Sequence, residues 1–92
     1  MSVELEPKGD AYEIGLANGT WFTMVNTSGI KDLIGEQKFT DPVQVDAVTA
    51  LKCADALESW TPPEGWFSEG KENEGKVMML EFFKTCEGFT TR

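Results

Sequence analysis

Histidine is absent from this 92-residue chain. Its absence removes the commonest general base, the usual partner of a nucleophilic Ser or Cys, and the commonest transition-metal ligand. Enzymatic chemistry is therefore not expected, and neither is a cofactor. Cysteine is scarce: Cys53 and Cys86 are the only two, with no CxxC spacing. A disulfide framework is excluded, and both thiols are expected to be free, small buried hydrophobes on predicted helices. Basic residues are few, eight against sixteen acids, for a net charge of −8. Direct nucleic-acid binding needs a cationic face that displaces counterions, and this balance argues against it. No apolar run is long enough to span a bilayer. The opening Met-Ser-Val-Glu-Leu-Glu lacks the basic start and apolar core of a signal peptide, so the expected location is the cytoplasm.

The acidity admits two readings. One is solubility alone. The other is an acidic surface that docks on a basic partner, such as a protein that normally holds DNA or RNA.

What is present is enough for one small domain. A chain of this size buries roughly 60–65% of its unfolded surface. Three Trp, six Phe and 40% hydrophobic residues can fill a single core. The clearest element is a long amphipathic helix over 42–59. Asp41 can cap it, Pro42 suits its first position, and Gln44 follows the cap by three. Val43, Ala47, Ala50, Leu51, Ala54 and Leu57 recur at helical spacing, with Cys53 on the flank. Thr61-Pro62-Pro63 then forbids continuation. A second long helix is expected over 73–86, its stripe made by Met79, Phe82, Phe83 and Cys86 and its stop by Gly88.

Residues 1–10 read as a loose end or a short edge strand, since Pro7, Lys8, Gly9 and Asp10 stop the early alternation. Ala11–Leu16 alternates as a half-buried strand with Tyr12, Ile14 and Leu16 on one face. Asn18-Gly19 is a hairpin signal. Residues 20–28 fit a strand by propensity and a short helix by pattern. Trp21, Met24, Val25 and Ser28 share a face, Asn18 or Thr20 can cap, and Gly29 can stop it, so the helix is preferred. A turn of helix is expected around Asp32–Gly35, and Phe89-Thr-Thr reads as a final strand paired with Ala11–Leu16. The predicted fold is α+β: a small antiparallel sheet packed by two long helices and one short helix.

The order Asn18-Gly-Thr-Trp21…Gly29-Ile30, Val43…Asp46-Ala47…Ala54-Asp-Ala-Leu57 and Leu80-Glu-Phe-Phe83…Cys86-Glu-Gly-Phe89 resembles a group of small uncharacterised bacterial and phage proteins. The resemblance implies a helix rather than a strand over 20–28. It implies no activity and assigns no site residue. Glu87 and the Pro-Pro-Glu-Gly-Trp loop depart from the pattern.

Three motifs invite chemistry. Gly70-Lys-Glu-Asn-Glu-Gly75-Lys76 has the spacing of a phosphate-binding loop, but Val77 follows instead of Ser or Thr, and Glu72 and Glu74 would repel a phosphate. It reads as a solvated turn before a helix. The carboxylate pairs Asp10/Glu13 and Asp41/Asp46 lack any EF-hand spacing. Trp60-Thr-Pro-Pro-Glu-Gly-Trp66-Phe67 is the best candidate. Large aromatics in a polar loop either anchor a partner or fold back as a flap over one end of the core. The preferred expectation is a non-enzymatic protein-interaction module, such as a phage or mobile-element inhibitor or regulator. It would dock on a basic protein partner through Trp60, Glu64, Trp66, Phe67 and Glu69. The alternative is a pocket beside the 60–67 loop for a small planar or nucleotide-like ligand. Nothing in the sequence excludes self-association.

Overall fold

Leu5 lies fully buried in an inner strand of a four-stranded antiparallel sheet, in a computed structural model that describes residues 2–35 and 42–92. The strands are β1 (Ser2–Pro7), β2 (Ile14–Ala17), β3 (Gln44–Asp46) and β4 (Gly88–Thr91), in the order β2-β1-β4-β3. Among the described residues four helices accompany them: α1 (Asn18–Ser28), α2 (Lys31–Ile34), α3 (Ala47–Glu58) and α4 (Glu72–Thr85). The α+β architecture expected from the sequence is the one observed.

The amino-terminal segment is not a loose end or an edge. It pairs with β2 on one side and with β4 on the other, and so separates the two strands expected to be partners. Pro7 is tolerated because it is the last residue of β1, and the next donors rejoin the ladder: Lys8 N–H donates to Gly88 O and Gly9 N–H to Cys86 O. Strand β2 starts later than expected, at Ile14. Tyr12 therefore lies outside the sheet and is 91% exposed rather than sharing a face with Leu16. Asn18-Gly19 makes no hairpin. It opens α1, because β2 already has its partner upstream and Trp21, Met24 and Val25 bury the helical stripe. Ala17 occupies the cap position without a side-chain bond, and Gly29 ends the helix at φ 94°.

Helix α3 begins five residues later than the Pro42 start. Asp46, not Asp41, is its observed cap, accepting from Thr49 N–H at 2.7 Å. Asp41 itself lies outside the described residues. This later start frees Gln44–Asp46 to extend the sheet and bury Val45 opposite Phe89. The buried stripe of α3 is Ala50, Cys53, Ala54 and Leu57, while Ala47 and Leu51 face solvent. Cys53 is thus in the core, not on its flank. Helix α4 buries Met79, Phe82 and Phe83 as the spacing predicts.

Gly88 reverses the chain from α4 into β4 at φ 95°, and a Cβ there would lie 2.7 Å from Val45 O. Only glycine meets both conditions. Phe89 is the hub of the core, with ring centroids 5.6 Å from Phe82, 5.7 Å from Phe83 and 6.4 Å from Trp21. Each such edge or tilted pair adds roughly 0.5–1.5 kcal/mol beyond area burial. Among the described residues, no helix is long and apolar enough to cross a membrane.

Candidate functional site

The loop between α3 and α4 carries all five residues singled out in the sequence. It folds back onto α1. Trp66 Nε1–H donates to Thr20 O at 2.8 Å, and Thr20 Oγ1–H returns a bond to Trp66 O at 3.2 Å. Trp60 Nε1–H donates to Thr27 Oγ1 at 3.0 Å, and that hydroxyl donates onward to Thr23 O. The two indoles meet edge to face at 4.9 Å, and Phe67 lies 5.8 Å from Trp66. With both N–H groups satisfied and the residues only 7% and 6% exposed, Trp60 and Trp66 behave as core residues. Phe67 is half-buried, while Glu64 and Glu69 are exposed.

The phosphate-loop-like stretch has a structural role at each matched position. Gly70 turns the chain at φ 81°. Gly75 is buried in α4 beneath Phe67 and Trp66. Lys76 Nζ donates to Glu58 O and Trp60 O at 2.9 and 2.7 Å, which satisfies carbonyls at the end of α3. Glu72 accepts from Gly65 N–H and Gly70 N–H, and the Gly65 bond above all holds its carboxyl below the usual range. An acid locked across the loop's backbone donors occupies the place a phosphate would need.

Two of the surface hollows formed by the described residues bear on function. One, of about 480 Å³, lies between the start of α1 and the loop, lined by Thr20, Thr23, Pro63, Glu64 and Trp66 among others. It is where the loop could meet a small ligand. The other is a groove of about 540 Å³ between the segment leading into β2 and one flank of α4. Ala11, Ile14, Met78 and Phe82 make an apolar lining, with Asp10, Tyr12 and Glu81 exposed along it. The groove is not legible in the sequence, because the alternation of Ala11–Leu16 places Tyr12 on one strand face with Ile14 and Leu16. Its only sequence signal is Met78, one turn before Phe82 and off the centre of the α4 stripe.

Cys53 and Cys86 are free and fully buried. Burial, with Cys86 nearby, pushes the Cys53 thiol up to about 12, and burial also raises Cys86. Neither is a ready nucleophile at neutral pH. Among the described residues, no three His, Cys, Asp or Glu side chains converge to hold a metal ion. Compared with known proteins, the chain matches no family model, no curated protein and no solved structure.

Proposed function

We propose that the chain is a non-enzymatic protein-interaction module whose acidic surface docks on a partner with a basic face. A small inhibitor or regulator of phage or mobile-element type would work in this way. The state of the surface carboxylates carries the reading. Ion pairs among the described residues engage Glu58, Glu6 and Glu13. The side chains of Asp10, Glu64, Glu69 and Glu81 are exposed, and among the described residues no cation pairs with them. With a net charge of −8 behind them, they give a field that attracts basic surfaces and speeds their encounter. In this reading Trp60 and Trp66 brace the loop that displays Glu64 and Glu69. Phe67 is the one loop aromatic with much surface to offer.

A second reading, a small planar or nucleotide-like ligand beside Trp66, is favoured by one observation: that ring lines the 480 Å³ hollow. Cross-linking in a lysate, followed by binding measurements on the purified partner, separates the two. A Lys- or Arg-rich contact surface, and weaker binding by Glu64→Lys/Glu69→Lys, would support the interaction module. A partner surface without basic residues would contradict it. Salt-independent quenching of tryptophan fluorescence by an uncharged metabolite would favour the second reading instead.

A further inference from the structure

The groove beside α4 differs from the rest of the surface in chemistry. Its apolar lining is not closed over: Ala11, Ile14 and Met78 are only half-buried, and Tyr12 is 91% exposed. An almost fully exposed tyrosine beside apolar surface is a frequent anchor at protein interfaces, since it offers much contact area at little entropy cost. Among the described residues, the charged groups along the groove are Asp10 and Glu81, both acidic and neither held in an ion pair. The hydroxyl of Thr85, also at the groove, is spent on Glu81 O within α4. No cation lines it.

We infer that this groove takes an amphipathic segment of a partner protein. Apolar side chains of that segment enter between Tyr12, Ile14, Met78 and Phe82, and flanking Lys or Arg residues pair with Asp10 and Glu81. The inference rests on the acidic interaction module proposed above and says where its partner lies. Charge selects this occupant over a second copy of the chain. Another copy would also bring a net charge of −8 towards Asp10 and Glu81, and like charges placed together across an interface oppose association. A volume of 540 Å³ accommodates a few apolar side chains rather than a whole folded surface. Affinity would then come from a short segment rather than from a broad flat interface.

The test uses amphipathic helical peptides of about four turns, with Leu, Met or Phe on the apolar face and Lys on its flanks. A matched set carries Glu in place of Lys. Amide chemical shifts of the full chain report the site, and fluorescence anisotropy reports the affinity. The expected result is that Lys-flanked peptides shift residues 10–14 and 78–85 and bind at least about tenfold more tightly than Glu-flanked ones. Glu81→Lys should lower the Lys-peptide affinity by about tenfold and raise that of the Glu peptide. Tyr12→Ser should weaken both sets, by roughly thirtyfold for the Lys peptides. Both substitutions are at exposed positions, and unchanged amide spectra elsewhere confirm that the fold is intact. Lys peptides that bind but shift the Glu64–Glu69 loop would overturn the groove and leave the acidic module standing. Equal binding of Lys and Glu peptides would remove the charge selection, and the inference with it. Failure of every Lys peptide to bind anywhere would count against both.

Discussion

A Cβ placed on Gly75 would lie 2.7 Å from Phe67 Cγ, so the glycine is the seat on which the aromatic loop rests. Glycine inside a helix costs about 1 kcal/mol against alanine. Here the missing side chain lets Trp66 and Phe67 approach the α4 backbone. Gly75→Ala is therefore expected to destabilise the protein despite the better helix former. Overpacking by roughly 1–3 kcal/mol exceeds the propensity gain. Urea denaturation measures the net change. A stabilised variant would mean that the loop does not rest on α4.

Trp66→Ala is expected to lower stability by about 3–5 kcal/mol, as truncation of a buried aromatic does. It would also leave Thr20 O without its indole donor. Binding per folded molecule should change far less than stability does. Melting and partner titration on one sample decide the matter: unchanged stability with lost binding would make Trp66 an anchor instead of a brace.

Both thiols should resist labelling in the native state, and Cys53 should be no faster than Cys86, since both are fully buried. Thiolate is the reactive form, and a Cys53 thiol pushed up to about 12 supplies very little of it at neutral pH. Labelling in denaturant should then be fast and release both together. Rapid native labelling of either would contradict the packing of α3 on α4.

Asp46 caps α3, and the Thr49 backbone N–H lowers its pKa below the ordinary value. A carboxyl depressed on folding contributes stability that is present above its unfolded pKa, near about 4, and is lost as pH falls through the folded value. Asp46→Ala should lower the melting temperature at neutral pH and flatten the acid limb of the stability profile. Asp46→Asn, which keeps an accepting oxygen, should retain more of the melting temperature yet show the same flattened limb. An acid limb unchanged in both variants would place the titration elsewhere.

The parts legible in the sequence are those with a full period to read. Met79, Phe82, Phe83 and Cys86 repeat over enough turns to define α4, whereas Trp21, Met24 and Val25 span little more than one turn and leave the helix over 20–28 only preferred to a strand. Strand β3 has three residues, too few for alternation to show, and the Asp41-Pro42 start signal ahead of it reads as the beginning of the helix that Asp46 caps. Pro7 disguised an inner strand because its consequence depends on lying at the strand's end. The sequence shows the loop aromatics and the choice they pose, partner anchor or flap over the core, and the burial of Trp60 and Trp66 decides for the flap. What buries them is Thr20, Thr27 and Gly75, residues distant along the chain whose small size or free oxygen signals nothing by itself. The groove was hidden for the related reason that Tyr12 lies beyond the start of β2.

The salt dependence of association with the purified protein partner tests the central claim most directly. Stopped-flow association rates should fall at least tenfold between about 0.05 and 0.5 M salt, as the screening length shrinks from well above to near contact distance. The dissociation rate should change little over the same range. Charge reversal at Asp10, Glu64, Glu69 and Glu81 together, which cancels the net charge of −8, should remove most of that salt dependence. An association rate indifferent to salt, with a partner that binds as tightly after the acids are reversed, would contradict an acidic docking module.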